Sequence, residues 1–235
     1  MSKRAIILAG GMGTRLKPYT VSLPKPLVPI GTMPVIEIII RHLANNGFDH
    51  ITVTLSHMAD IIKAFCGDGS KWRIKIDYSY EEKPLSTMGP LRLIDNLPEN
   101  FLVMNGDVIT DLDLLAFYNY HVNKNNLFTI SSFTREHKMD YGILQIQDDH
   151  LIGFNEKPSY DYQVSMGIYM VNNKILDHIP KNTPYGFDAL MADMILKNMR
   201  VDVRHHEGYW LDIGRPDDYE QACRDFDDKR INIWK

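Results

Sequence analysis

The first ordered pattern of the chain is Ala5-Ile6-Ile7-Leu8-Ala9, which leads directly into Gly10-Gly11-Met12-Gly13-Thr14-Arg15-Leu16. A short apolar run that stops at glycine is typical of a strand buried on both faces, as in parallel sheets. The glycines after it can curl so that backbone N–H groups point inward around an anion. The pattern predicts a strand followed by a phosphate-binding loop, and a plain glycine turn is the alternative at this point.

The same alternation of apolar runs and amphipathic segments continues along the chain. Helical spacing predicts helices over 34–46, 58–65, 90–96, 112–123, 188–198 and 217–227. Apolar runs predict strands over 51–55, 74–80, 101–105, 128–134, 166–171 and 201–205, with shorter strands over 142–146 and 151–155. This alternation of predicted strands and helices is typical of a doubly wound α/β sheet. We expect one domain spanning residues 1–235.

Composition excludes several classes of protein. The chain has 235 residues, 44% of them hydrophobic, and its 26 Lys+Arg against 30 Asp+Glu give a net charge of −4. No global positive field exists to hold a nucleic acid. Two cysteines, Cys66 and Cys223, make neither a disulfide framework nor a zinc site. The apolar run over 5–9 is too short for a signal peptide or a membrane span, so we expect a soluble, cytoplasmic protein.

The glycine loop differs from two familiar phosphate loops. It lacks the G-x-x-x-x-G-K-[ST] pattern, and Leu16 stands where a dinucleotide-binding loop needs its third glycine. Arg15 lies within the loop, and Lys25 follows between Pro24 and Pro26, which restrict its backbone. Lys25 alone would be read as a surface lysine. A guanidinium and an ammonium beside inward N–H groups suit a nucleoside triphosphate attacked at phosphorus.

Five later motifs follow this loop in a recognisable order. They are Glu82-Lys83-Pro84-Leu85-Ser86-Thr87-Met88-Gly89, Asn105-Gly106-Asp107-Val108, Tyr141-Gly142, Glu156-Lys157-Pro158 and Trp210-Leu211-Asp212-Ile213-Gly214. With the loop and Pro24-Lys25-Pro26, they make nearly the whole chain resemble the sugar-1-phosphate nucleotidylyltransferases. The resemblance implies a Rossmann-like, mostly parallel sheet flanked by helices, forming a single catalytic domain with small β insertions on the sugar side.

The resemblance also implies a reaction and its substrates. An oxygen of a sugar 1-phosphate attacks the α-phosphorus of a nucleoside triphosphate in line, and pyrophosphate leaves from the opposite side. Positioning and charge stabilisation would do nearly all of the work, with no covalent enzyme intermediate. The expected partners are therefore these two small molecules, with no nucleic acid and no membrane. A homo-oligomer is left open.

Two carboxylates are candidate metal ligands. Asp107 follows the predicted strand 101–105, at the end of the sheet where α/β proteins bind ligands. Capping of the next helix is the alternative for Asp107, although Asp111 or Asp113 could fill that role. Asp212 lies in an apolar, glycine-terminated segment, where a carboxylate is costly unless paired or metal-bound. Two such carboxylates suit Mg²⁺, and the resemblance implies that Asp107 and Asp212 hold it.

The resemblance implies roles for further residues. Arg15 and Lys25 would be catalytic. The expected nucleotide-binding residues are Leu8, Ala9, Gly10, Gly11, Gly13, Thr14, Glu82, Pro84, Leu85, Thr87, Gly89, Asn105 and Gly106. The expected sugar-phosphate-binding residues are Tyr141, Gly142, Glu156, Lys157, Met166 and Gly167. Among these, the glutamate would accept hydrogen bonds from sugar hydroxyls and the lysine would contact the phosphate.

The sequence motifs define the nucleobase and the sugar less closely than they define the reaction. Relatives commonly carry Gly-Thr-Ala-Gly where this chain has Ser86-Thr87-Met88-Gly89, and Asn-Ala-Gly where it has Ser165-Met166-Gly167. We expect the larger side chains there to bear on specificity. The motifs look closest to the guanylyltransferase branch, so GTP is the expected nucleotide. Uridylyl, thymidylyl and cytidylyl transfer within the same family remain alternatives.

Two functions outside this reaction are alternatives. A regulatory relative that binds nucleotide sugar without turnover would be free to lose Arg15, Lys25, Asp107 or Asp212, and all four are present. A glycosyltransferase would carry an Asp-x-Asp metal motif, which 111–113 matches, but that function gives no reason for the triphosphate loop. The sequence His205-His206-Glu207 is interpreted as surface, because adjacent side chains on a strand face opposite ways.

Overall fold

The structure is a computed structural model that describes residues 2–228. Its strands are β1 (Arg4–Leu8), β2 (Pro29–Ile30), β3 (Met33–Pro34), β4 (His50–Leu55), β5 (Lys75–Tyr80), β6 (Asn100–Asn105), β7 (Val108–Thr110), β8 (Phe128–Lys138), β9 (Ile143–Gln147), β10 (His150–Asn155), β11 (Ser159–Asn172), β12 (Val201–His206) and β13 (Trp210–Asp212). Its α-helices are α1 (Val35–Asn45), α2 (Ala59–Cys66), α3 (Leu114–Asn123), α4 (Phe187–Leu196) and α5 (Pro216–Asp227).

The central sheet has seven strands in the order β12-β8-β11-β6-β1-β4-β5. Neighbouring strands are parallel except β11, which runs antiparallel to both β6 and β8. The expected mostly parallel sheet is therefore confirmed. The carboxyl ends of β1, β4, β5 and β6 meet at one edge, where open α/β sheets bind ligands.

Strand β1 is covered on both faces. Ala5 and Ile7 are fully buried in one apolar cluster with Ile36 and Ile40 of α1, while Ile6 packs into a second cluster with Leu190 of α4. Helices thus lie on both sides of the sheet. Burial of consecutive residues explains why the strand reads as an unbroken apolar run rather than as an alternating one.

The smaller strands form separate pairs. β9 and β10 make an antiparallel hairpin outside the central sheet, which matches the predicted β insertion. β7 pairs with β13, and β2 pairs with β3. The sequence did not predict β7 or β13, because three residues are too few to carry a periodic pattern.

Several predicted boundaries were wrong, among them the end of β8, which lies at Lys138 rather than at 134. The predicted helix over 90–96 is a 3₁₀ helix over Gly89–Leu93, and Asn96 adopts a left-handed φ of 54°, which a continuing helix does not allow. Strand β11 begins at Ser159, well before the predicted start at 166. Within residues 2–228, no helix is long and apolar enough to cross a membrane.

Candidate active site

The loop after β1 is folded back toward Lys25. Gly13 has a φ of 61°, and a Cβ there would lie 3.1 Å from the Cβ of Lys25 and 3.1 Å from the methyl group of Thr20. The Thr20 hydroxyl donates to the Gly13 carbonyl at 2.7 Å. A side chain at Gly13 would therefore be strained and crowded. Gly11 has no atom within 4 Å of a built Cβ, so packing within the protein does not require glycine there.

Lys25 and Asp107 form an ion pair across the site. Lys25 begins a 3₁₀ helix flanked by Pro24 and containing Pro26, and its ammonium contacts Oδ2 of Asp107. Both side chains are largely buried, with exposures of 12% and 22%. Gly106 places Asp107 beside β1, since its N–H donates to the Leu8 carbonyl at 2.9 Å. The structure thus brings two of the residues predicted for the site, Lys25 and Asp107, into contact.

Asp212 lies next to Asp107 because β7 and β13 pair. Asp212 is opposite Val108 in that pair, and the Ile213 N–H donates to the Asp107 carbonyl at 2.9 Å. Burial and the neighbouring Asp107 carboxylate raise the pKa of Asp212 above its ordinary value, while the cations Lys25 and Arg15 act in the opposite direction. Two carboxylates and two cations are therefore within electrostatic range of one another.

These carboxylates fit a divalent cation. Oδ1 of Asp107 is buried and has no hydrogen-bond partner in the described chain, although Oδ2 contacts Lys25. An unpartnered buried carboxylate oxygen is costly unless a ligand satisfies it. Across residues 2–228 no cluster of three or more His, Cys, Asp and Glu side chains is placed to hold a metal. The pair thus suits an ion such as Mg²⁺, which uses one or two carboxylates together with phosphate and water oxygens.

A cavity of about 310 Å³ opens above the carboxyl ends of the strands. It is lined by Leu8, Gly10, Gly11, Thr54, Glu81, Pro84, Ser86, Thr87, Asn105 and Asp107. The cavity therefore joins the glycine loop, the Asp107 carboxylate and residues after β5. Seven of these ten residues are among those predicted from the sequence, and Thr54, Glu81 and Ser86 are additions.

Glu81 is the clearest cavity residue that sequence reasoning missed. Its Oε2 accepts from the Leu85 N–H at 3.0 Å, and a Cβ at Gly10 would lie 2.6 Å from its Oε1. The carboxylate therefore packs directly against the glycine loop. Burial raises the pKa of Glu81, and the hydrogen bond from Leu85 opposes this. A usable signal existed in the sequence, because Glu81 follows the last residue of a parallel strand.

Several predicted nucleotide-binding residues occupy other positions. Glu82 is exposed and does not line the cavity, whereas the buried Leu85 and Gly89 pack together, a Cβ at Gly89 lying 2.8 Å from that of Leu85. Thr87 reaches the cavity, and its hydroxyl accepts from the Phe187 N–H at 2.7 Å. Thr14 lies exposed in the 3₁₀ helix Thr14–Leu16.

The two methionines that were expected to affect specificity expose no side chain to the cavity. Met88 and Met166 are both fully buried, in opposite apolar clusters. Met166 was also predicted to bind the sugar phosphate. Its side chain is in the core, and its carbonyl accepts from Trp210 Nε1 at 3.0 Å. Apolar packing therefore accounts for both residues. Gly167, with a φ of 74°, lies against the cavity residue Asn105.

Four of the predicted sugar-side residues lie beside the β9–β10 hairpin, namely Tyr141, Gly142, Glu156 and Lys157. A Cβ at Gly142 would lie 3.0 Å from Oε2 of Glu156 and 2.5 Å from the ring of Phe154. The Met139 N–H donates to the Pro158 carbonyl at 3.0 Å, which holds the segment containing Glu156 and Lys157 beside the segment before Gly142. Glu156 and Lys157 are exposed. Tyr141 is 78% exposed and free to contact a ligand.

The Asp-x-Asp segment has a structural use. Asp113 caps α3, its carboxylate accepting from the Ala116 N–H at 2.7 Å. Asp111 accepts from the Tyr209 N–H at 2.6 Å and lies 2.8 Å from His206 Nε2. These contacts account for both carboxylates without a metal. His206 was predicted to be a surface residue and is instead partly buried against Asp111, while His205 is exposed as predicted.

A larger cavity, of about 740 Å³, lies at the amino-terminal ends of β4 and β5. The charged groups at its centre form hydrogen bonds and ion pairs with one another. Arg4 donates to Thr52 and to Asp77, and His50 Nε2 lies 2.7 Å from Asp77. Size alone does not make it the active site, because the loop, the cations and the paired carboxylates all lie at the opposite ends of the strands.

Comparison with known proteins defines the class of this fold and site. The nucleotidyl transferase family description matches residues 4–229, and the chain belongs to that family. It is 32% identical over 242 residues to a UTP–glucose-1-phosphate uridylyltransferase of Synechocystis sp., covering 94% of this chain and 62% of that protein. It is 35% identical over 231 residues to a mannose-1-phosphate guanylyltransferase catalytic subunit beta of Dictyostelium discoideum, covering 92% and 62%.

A solved structure agrees with this assignment. Crystalline HddC from Yersinia pseudotuberculosis, complexed with GMP-PN, superposes with a TM-score of 0.73 at 28% identity, covering 95% of this chain and 99% of that one. The resemblance to sugar-1-phosphate nucleotidylyltransferases is thereby confirmed. This chain spans 62% of the length of the two curated relatives described above.

Proposed function

We propose that the chain is a sugar-1-phosphate guanylyltransferase, which joins GMP from GTP to a sugar 1-phosphate and releases pyrophosphate. The sugar phosphate oxygen forms a bond to the α-phosphorus of GTP while the bond from that phosphorus to the β-phosphate bridging oxygen breaks. The electron pair leaves with pyrophosphate, so atoms and charges balance without any further reactant. The expected cytoplasmic location fits an enzyme that consumes nucleoside triphosphates.

The chain's own groups have distinct tasks in this proposal. The backbone N–H groups around Gly11, together with Arg15 and Lys25, would meet the negative charge of the triphosphate. Asp107 and Asp212 would hold Mg²⁺, which when bound neutralises phosphate charge and fixes its geometry. The support for this assignment is the partnerless Oδ1 of Asp107 beside the raised pKa of Asp212.

Glu81 is the observation that carries the choice of GTP. Guanine presents two neighbouring donors, N1–H and N2–H₂, and a carboxylate accepts both. The Glu81 carboxylate lines the cavity, with one oxygen against the Gly10 backbone and the other held by the Leu85 N–H. Two guanine-related comparisons, the Dictyostelium relative and the GMP-PN complex of HddC, point in the same direction.

The sugar end of the proposal rests on Glu156 and Lys157. A glutamate suits sugar hydroxyl donors, and a lysine suits the phosphate. The close approach of Gly142 to Glu156 leaves backbone rather than a side chain beside that carboxylate. Either a hexose or a heptose 1-phosphate fits this chemistry.

Pyrophosphate release tests the proposal. ATP, GTP, CTP, UTP and dTTP would each be combined with Mg²⁺ and with hexose, amino-hexose and heptose 1-phosphates. We expect release that depends on both substrates and is highest with GTP, and loss of release in Asp107→Asn. A preference for UTP would make the chain a uridylyltransferase, as the Synechocystis relative is named. No release with any pair would favour a regulatory relative.

A further inference from the structure

Thr54 lies on the floor of the nucleotide cavity. It is on β4, paired with Leu8 of β1, which in turn is paired with Asn105 of β6. Paired residues in a sheet point to the same face, so the three side chains share one face. All three residues line the cavity that also contains Glu81. The side chain of Thr54 therefore faces the proposed base site.

The hydroxyl of Thr54 has no partner in the described chain. Thr54 is 1% exposed, and its Oγ1 is buried without a hydrogen bond. Thr52, two residues earlier on the same face, shows the contrasting case. Its hydroxyl accepts from Arg4 Nε at 2.9 Å and donates to Asp77. A buried hydroxyl without a partner lowers stability, and valine would fill the same space without that cost.

The cavity pairs this donor with an acceptor. Glu81 supplies a carboxylate for ring N–H groups, and the polar atom beside N1–H on guanine is O6, an acceptor that needs a donor. A threonine hydroxyl can donate to it. The Thr87 hydroxyl already accepts from Phe187, whereas the Thr54 hydroxyl has its hydrogen-bonding capacity free.

We propose that Thr54 is a base-specificity residue, whose hydroxyl donates a hydrogen bond to the ring carbonyl oxygen adjacent to the N–H bound by Glu81. For GTP this oxygen is O6. The proposal rests on the proposed function for the position of the base in the cavity. It adds a hydrogen-bond donor for O6 beside the acceptor that Glu81 supplies for N1–H.

Thr54→Val tests this with Thr54→Ser as the matched variant that keeps the hydroxyl. Each would be assayed with GTP and with 2-aminopurine riboside triphosphate, which lacks O6 and also the N1 hydrogen. Parent and variants lose the Glu81–N1 contact alike with this analogue, so only the change between parent and variant reports on Thr54. For Thr54→Val we expect kcat/KM for GTP to fall about tenfold, the effect of one lost hydrogen bond. We expect less than about a twofold change with the analogue and a Tm no lower than that of the parent protein, because no protein partner is lost. Thr54→Ser should retain the preference for GTP over the analogue.

Equal losses with GTP and the analogue would overturn the proposal, as would an unchanged kcat/KM for GTP in Thr54→Val. A lowered Tm together with equal losses would assign Thr54 a packing role. If the enzyme uses UTP instead, the proposed GTP specificity fails while this inference is tested with UTP and its analogue lacking the C4 carbonyl. A loss confined to UTP would then support Thr54 as the donor.

Discussion

The ammonium of Lys25 contacts one oxygen of Asp107, while the second oxygen of that carboxylate is buried without a partner in the described chain. The contact fixes the carboxylate and leaves Oδ1 available for a cation. A buried carboxylate with one oxygen ion-paired and the other without a hydrogen-bond partner is typical of a ligand-binding site.

Loss of either partner should remove activity. We expect Lys25→Met and Asp107→Asn each to reduce kcat/KM by about 10²-fold or more, because preplaced charges stabilise the transition state by several kcal/mol. Steady-state pyrophosphate release measures this. The exposed Lys124 provides a matched control, and Lys124→Met should be close to the parent protein. Near-parental rates in either site variant would contradict the assignment.

Asp212→Asn should stabilise the folded protein at pH 7 while abolishing turnover. Burial and Asp107 raise the pKa of Asp212, so the folded chain holds that proton more tightly than the unfolded chain does. The resulting destabilisation is absent below the unfolded pKa and develops as pH rises through the folded pKa. Each kcal/mol added to the free energy of unfolding should raise Tm by about 2–4 °C, and this increase in Tm should vanish in acid. Thermal unfolding at several pH values checks both points.

Binding of Mg²⁺ to Asp107 and Asp212 should be measurable by thermal unfolding, without an activity assay. A ligand that binds only the folded chain raises its Tm in proportion to RT ln(1 + [L]/Kd). We expect Mg²⁺ with GTP to raise the Tm of the parent protein and to raise that of Asp212→Asn less. Equal shifts in the two proteins would place the cation elsewhere.

Glu81→Gln should impair the use of GTP, and Glu82→Gln should not. The structure brings Glu81 into the cavity and leaves Glu82 exposed. We expect about a 10–100-fold loss of kcat/KM for GTP in Glu81→Gln, since hydrogen bonds to a charged group are lost. Because the pKa of Glu81 is raised, the KM of the parent protein for GTP should increase as pH falls, starting above the ordinary carboxyl value of 4.5. Equal effects of the two substitutions would contradict this.

Gly11→Ala should weaken nucleotide binding without lowering the stability of the folded protein. A methyl group at Gly11 meets no atom within 4 Å, so the folded chain should tolerate it with little change in Tm. If the triphosphate lies against this loop, the same methyl group blocks it, and the KM for the nucleotide should increase by about tenfold or more. Thermal unfolding and steady-state kinetics on one preparation test this pair of outcomes. Unchanged kinetics would move the triphosphate away from the loop.

The sequence predicted β1 and β6 well because their central residues are buried on both faces and form continuous apolar runs. Strand position and apolar surroundings made Asp107 and Asp212 candidate metal ligands, and the resemblance joined them into one site. The β7–β13 pair that joins them was not predicted, because strands of three residues have no period to detect.

The choice between Glu81 and Glu82 shows a second limit of sequence reasoning. Both glutamates follow Tyr80, and only the exact end of β5 and the turn held by Leu85 bring the first one into the cavity. Met88 and Met166 lie within or beside the motifs, but tertiary packing places their side chains in the core. Such differences depend on long-range contacts that a local pattern does not contain.

The most direct test of nucleotidyl transfer follows the phosphate oxygens of the sugar 1-phosphate. With those oxygens labelled as ¹⁸O and GTP unlabelled, mass spectrometry and ³¹P NMR would locate the label after turnover. The proposed attack on the α-phosphorus of GTP predicts that all of the label remains in the GDP-sugar and that pyrophosphate is unlabelled. Label in pyrophosphate, or release of GDP without a nucleotide sugar, would contradict the account.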